Sequence, residues 1–213
     1  MVPLSTDSAV FNGSAVNGAE TVSLSAATGI AGLTFANTGT TLLNSTSVTA
    51  QALTIGTGGI TINSGAGAVT IGNATNAVPI TLSGAQSWTN NASTLFTVVN
   101  ALTTGGNQLT IGGTANTTIS GVISGTGSLV LNGTTGGGPL VAQTPTLTLT
   151  AANTYSGGTT INGGMLSMVG GNNAALGTGT VTINGGDFLF GDGKTLTNNF
   201  VLNGGGIYSL RGH

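Results

Sequence analysis

Apolar and polar residues alternate along this chain in short bursts. The commonest burst is an apolar–Thr–apolar triplet closed by Gly or a small polar residue: Leu53-Thr54-Ile55-Gly56, Ile60-Thr61-Ile62-Asn63, Val69-Thr70-Ile71-Gly72, Ile80-Thr81-Leu82-Ser83 and Leu109-Thr110-Ile111-Gly112. It returns, with variation, as Leu147-Thr148-Leu149-Thr150, Thr160-Ile161-Asn162-Gly163 and Val181-Thr182-Ile183-Asn184. A period of two with β-branched residues predicts short strands whose Ile, Leu and Val point inward and whose central Thr points out. Gly and Asn tolerate positive φ, so they turn the chain after each strand.

Two architectures take many short strands punctuated in this way. One is an antiparallel β-sandwich, in which Asn-Gly closes two-residue hairpins. The other is a parallel β-helix, or β-solenoid, in which the chain winds round a narrow prism and each coil stacks on the last. Spacings of 7, 9 and 11 residues from Ile55 to Ile62, Ile71 and Leu82 suit three short faces per coil. The strands are shorter than the usual five or six residues of a sandwich, and repeated small polar residues suit stacked Asn and Thr ladders. The pattern predicts an all-β parallel solenoid, with the antiparallel sandwich as the alternative. It forms one domain over residues 1–213, less regular over 1–50. Coils of about 20–25 residues give roughly nine coils and a length of about 45 Å.

Charge narrows the function. The 166 residues between Glu20 and Asp187 include no Asp, Glu, Lys, Arg or His, and charged residues make up 3% of the chain. Most catalytic mechanisms need a positioned acid, base, cation or metal ligand. The expectation is therefore no enzyme, no catalytic residues and no cofactor. Two basic residues cannot neutralise a phosphate backbone, so nucleic acid is not an expected partner. Disorder is disfavoured by 38% apolar content and low charge. No apolar stretch approaches the roughly 18 residues of a membrane helix. Runs of three to five residues with 4% aromatics do not fit a membrane barrel either, so the chain is not expected to be membrane-embedded. There is no cysteine, and residues 1–7 show no basic and apolar secretory leader.

Few residues offer chemistry. Asp187 and Asp192 are weak candidates for calcium, but one copy of this spacing builds no stacked site; a solvated turn with a local ion pair to Lys194 is expected. His213 has no partner in sequence. Trp88 and Tyr155 are candidate sugar-stacking platforms, set against closing the core. Thr146-Leu147-Thr148-Leu149-Thr150 and Thr178-Gly179-Thr180-Val181-Thr182 are candidate hydroxyl arrays for ice or carbohydrate, set against ordinary exposed strand threonines. Asn-x-Ser/Thr sequons at Asn12, Asn44, Asn73, Asn91, Asn116 and Asn132 follow from composition.

The segment 147–206 resembles the passenger-associated strand repeat of autotransporter-type surface proteins. Its specific parts are Asn153-Thr154-Tyr155-Ser156-Gly157-Gly158-Thr159-Thr160-Ile161, then Gly164-x-Leu166, then Ala175-Leu176-Gly177-Thr178-Gly179-Thr180-Val181. The run from Ile119 to Leu129 is similar to the lead-in of such repeats, and Asp7 to Gly13 to their openings. The resemblance implies a right-handed β-helix, a bacterial origin, export and cell-surface display. Gly133 to Pro145 interrupts the repeat and is expected to loop out. The family signature marks a scaffold and brings no catalytic residues with it.

A solenoid has two open ends, each an edge of unpaired backbone over an apolar interior, and bare edges associate. Neither end of this sequence shows an amphipathic helix or a charged, Pro-rich cap. Val2, Leu4, Val10 and Phe11 at one end, and Phe200, Leu202, Ile207, Tyr208 and Leu210 at the other, are the expected self-assembly residues. The expected function is an extracellular or cell-surface structural protein whose copies stack head to tail into a filament or matrix. Residues 1–9 are a candidate donor strand for a neighbour. The alternative is a passenger or stalk segment of an adhesin that offers its faces, or the 133–145 loop, to a glycan or host surface.

Overall fold

The computed structural model describes residues 4–12, 18–134 and 145–210. The described residues hold twenty-one strands and no helix. The first coils contain β1 (Ser8–Phe11), β2 (Glu20–Leu24), β3 (Thr28–Phe35), β4 (Thr41–Ser45), β5 (Leu53–Ile62), β6 (Val69–Ile71) and β7 (Ile80–Leu82). The middle coils contain β8 (Gln86–Asn90), β9 (Phe96–Val98), β10 (Leu102–Thr103), β11 (Leu109–Gly113), β12 (Thr117–Ile119), β13 (Ile123–Ser124) and β14 (Leu129–Gly133). The last coils contain β15 (Thr146–Leu149), β16 (Thr159–Gly163), β17 (Met165–Ser167), β18 (Val181–Ile183), β19 (Asp187–Gly191), β20 (Phe200–Leu202) and β21 (Gly206–Leu210).

Every strand pairing among them is parallel and joins one coil to the next, so the molecule is a β-solenoid and the antiparallel sandwich is excluded. One sheet of nine strands runs β2-β4-β6-β9-β12-β15-β17-β19-β21. A second sheet carries the run β1-β3-β5-β8-β11-β14-β16-β18-β20 and a shorter run β5-β7-β10-β13. The two runs meet because β5 is ten residues long: its first half pairs with β7 and its second half with β8. A coil takes from 19 residues (Leu147 to Leu166) to 30 (Thr117 to Leu147), and the longest contains the 133–145 interruption.

Alternation fixes what lies inside. In β6 and β18 the outer residues of Val-Thr-Ile are buried and the central Thr is half-buried. Stacking in register turns such triplets into columns. One inward column runs Leu33, Ile60, Trp88, Ile111, Leu131, Ile161 and Ile183, with exposures between 0 and 3%. Each buried Ile or Leu contributes roughly 1.5–3 kcal/mol relative to exposure. One outward column on the nine-stranded sheet runs Thr70, Thr97, Thr118 and Thr148.

Polar side chains bond neighbouring coils at two levels. At the corners, where the chain leaves the sheets, buried or half-buried Asn side chains reach the backbone. Asn90 Nδ2 donates to the carbonyls of Thr94 and Asn116 at 2.9 and 2.8 Å. Asn153 accepts from the Ile123 amide at 2.8 Å and donates to the Ala175 carbonyl at 2.6 Å. Asn100 accepts from the Val78 amide and donates to the Asn73 carbonyl. On the exposed face Asn162 donates to Asn132, Asn184 to Asn162 and Asn203 to Asn184, each at 2.8 Å. This ladder couples four coils without any charge.

Candidate self-association surface

The described solenoid ends in two unlike rungs. At the C-terminal end β20 pairs with β18 and β21 with β19, and no described strand covers their far edges. Phe200 is half-buried against Phe188, with ring centroids 5.8 Å apart, and Phe188 also stacks on Phe190 at 5.7 Å. Leu202, in register with buried Ile183, is 57% exposed, with no described strand beyond it. Ile207, Tyr208 and Leu210 on β21 are exposed as well, as is Val201, which stands where Thr182 stands one rung below. Tyr208 folds its ring over the Gly206 backbone; a Cβ there would sit 2.4 Å from Tyr208 Cε2, so a side chain at 206 would lift the ring.

The N-terminal rung is β1 and β2. Phe11 stacks on Phe35 at 4.7 Å, and Ala9, Phe11, Val22 and Leu24 pack half-buried against the core. Leu4 and Val10 are exposed. Asp7 closes the turn before β1: its carboxylate accepts the Leu4 amide at 2.9 Å, and its own amide donates to the Leu4 carbonyl. Glu20 opens β2 with the inward parity of Val22 and Leu24 and is half-buried.

Of the expected self-assembly residues, Leu4, Val10 and Phe11 lie at one end, and Phe200, Leu202, Ile207, Tyr208 and Leu210 at the other. Val2 lies outside the described residues. The notion of a free donor arm at residues 1–9 needs correction, since Ser8 and Ala9 already pair with Gly32 and Leu33 in the chain's own sheet. Residues 135–144 of the interruption also lie outside the described residues, as do Arg211 and His213.

The charged cluster is not the expected ion pair. Asp187 is buried at the start of β19, where loss of solvent raises its carboxyl above the usual carboxylate range and a backbone hydrogen bond from Gly206 partly offsets this. Lys194 turns back to the Gly171 carbonyl, and Asp192 accepts its neighbour's Gly193 amide. No salt bridge occurs between these groups, because the β19 pairing holds Asp187 beside Met165 and Gly206. Among the described residues no three His, Cys, Asp or Glu side chains come together as a metal set.

Trp88 and Tyr155 are core residues, not platforms. Trp88 meets Phe96 edge-on at 6.0 Å and donates from Nε1 to Gln86 Oε1 at 2.8 Å. The Tyr155 hydroxyl lies 2.6 Å from that of Thr159, and burial pushes it far above the ordinary tyrosine range. The two Thr stretches do not combine into one array: Thr146 and Thr148 sit on the nine-stranded sheet, Thr182 on the other, and Thr178 and Thr180 at the corner before β18. Sequence reasoning missed the inward placement of Glu20, which its alternation with Val22 and Leu24 could have shown. It also missed a groove of about 630 Å³ at one corner, lined by residues including Ser64, Asn91, Ser93, Leu95, Thr114 and Asn116.

Compared with known families, residues 146–168 match the passenger-associated-transport-repeat. The matched stretch begins at β15 and contains β16 and β17, so the repeat here is a little more than one coil. No curated protein and no solved structure matches the chain. The chain is thus a β-solenoid that contains one passenger-associated-transport-repeat, and the repeat suggests a surface or secreted location.

Proposed function

We propose that this chain is a structural β-solenoid of the cell exterior whose copies associate end to end, β20 and β21 of one receiving β1 and β2 of the next. The observation that carries the reading is the C-terminal rung. Leu202, Ile207, Tyr208 and Leu210 are exposed on parallel strands with open edges, in register with residues buried or half-buried one or two rungs below. Continuing the stack would remove that apolar surface from water and pair the edge backbone. A surface this poor in charge adds little repulsion between copies. A joint that repeats heterologously does not close, so it makes a filament. Sedimentation velocity of the wild type and of a Leu202→Lys/Ile207→Lys variant tests the reading. Concentration-dependent association in the wild type, lost in the variant, supports it; identical behaviour of the two refutes it.

A second reading, a glycan-binding stalk, is favoured by the corner groove. Its lining offers hydroxyls and carboxamides with no charge, and Leu95 is an exposed apolar side chain beside them. Such a groove suits a neutral oligosaccharide. Calorimetric titration with neutral oligosaccharides against the wild type and Asn91→Asp decides it: saturable heat reduced in the variant supports the reading, and no heat from either rejects it.

A further inference from the structure

The inward columns determine what each end would meet if the rungs continued into a second copy. On the twelve-stranded sheet the column that starts at Ala9 ends at Leu202, so that part of the joint would set apolar on apolar. On the nine-stranded sheet the column starts at Glu20, passes through Thr41, Val69 and Phe96, and ends at Phe188 and Ile207. Every inner member of it is uncharged and buried. Register-continuous stacking therefore lowers Ile207 of one copy onto Glu20 of the next.

Resting on the end-to-end reading above, we propose that Glu20 gates that joint: a second copy docks β2 on β21 when the Glu20 carboxyl is neutral, and is held off when it is ionised. A charge pointing inward from an edge strand is a recognised barrier to strand addition, because pairing would strip a carboxylate of water and give it no cation. Among the described residues, nothing packed around β2 supplies one. β1, β3 and β4 contain no ionisable residue, and Asp7, on the same rung, is itself a carboxylate engaged with Leu4. On the opposing end the charged side chains among the described residues are Asp187, one rung beneath β21, then Asp192 and Lys194 in the following turn. The Lys194 ammonium is already committed to the Gly171 carbonyl. Among the described residues the C-terminal rung has no ionisable strand residue apart from Tyr208, so the described charge at the joint sits on the Glu20 side; Arg211 and His213 follow β21 outside the described residues.

The test is the onset concentration of association, by light scattering and electron microscopy, for the full chain at about pH 4 and about pH 7. The wild type should assemble at a concentration at least about tenfold lower in acid. Glu20→Gln should assemble at neutral pH as readily as the wild type does in acid, with little remaining pH dependence. Glu20→Lys should stay unassembled at both. Asp187→Asn, which removes the buried carboxyl of β19, should keep the wild-type pH dependence. If Glu20→Gln matches the wild type at both pH values, or assembles less readily than it at neutral pH, the gate is overturned while end-to-end stacking stands. If neither the wild type nor Glu20→Gln assembles at any concentration, both the gate and the stacking fail.

Discussion

The hydroxyls of Tyr155 and Thr159 meet at 2.6 Å inside the solenoid, four residues apart in sequence, with the Thr159 hydroxyl also 3.4 Å from the Leu176 carbonyl. This closes a corner where the Ser156 and Gly157 amides also donate to the Gly125 and Gly127 carbonyls and the Tyr155 carbonyl accepts from Thr178. Tyr155→Phe keeps the ring and leaves Thr159 its second partner, so it should cost only about 1 kcal/mol. Tyr155→Ala also opens a cavity and should cost about 3–5 kcal/mol. Urea denaturation of both variants measures the difference.

The exposed Asn ladder gives a graded prediction. The Asn184 side chain donates to Asn162 and accepts from Asn203, whereas the Asn203 side chain bonds Asn184 alone among the described residues. At about 0.5–1 kcal/mol for each bond, Asn184→Ala should lose roughly twice as much stability as Asn203→Ala. In the double variant the two losses should not add, because both single changes remove the same Asn203–Asn184 bond. A double-mutant cycle by chemical denaturation checks this.

Asp187 predicts the sign of a pH effect. Its carboxyl is raised in the folded chain, chiefly by burial, so the folded state retains a proton that the unfolded chain has released. Stability from this group is therefore greatest below the unfolded value, falls as pH rises through the folded value, and stays lower above it. Asp187→Asn should be more stable than the wild type at neutral pH and should remove this part of the acid dependence. Thermal melts across the carboxylate range, compared between the two proteins, are the measurement.

Gly205 sits at φ +73° in the corner between β20 and β21, where a Cβ would fall 1.8 Å from the Gly186 carbonyl oxygen. Gly205→Ala should displace β21 from β19, at a cost of more than about 1 kcal/mol from the backbone alone. Amide exchange should show loss of protection at 206–210 while Val181 to Ile183 stays protected.

Much of this architecture could be read from the residues. The Leu-Thr-Ile and Val-Thr-Ile triplets became strands with Thr outward because alternation and β-branching act locally and every coil repeats them. Parallel stacking followed from their irregular, short spacing. Strands of two residues, such as Leu102–Thr103 and Ile123–Ser124, were not legible, since a period needs more than one repeat to show. Nor were the corner roles of Asn90, Asn100 and Asn153, which depend on the coil above or below. The local ion pair expected in the Asp187, Asp192 and Lys194 cluster failed for a related reason: proximity in sequence does not determine where a sheet's register holds a carboxylate. Glu20 was not among the expected end residues, because its place at the joint shows only in the column it shares with Ile207.

End-to-end stacking is tested most directly by electron microscopy of the purified chain over a concentration series at acid and neutral pH. Nine stacked rungs at about 4.8 Å predict filaments one solenoid wide with an axial repeat of about 43 Å. Discrete single particles at the highest concentration, at both pH values, would contradict it.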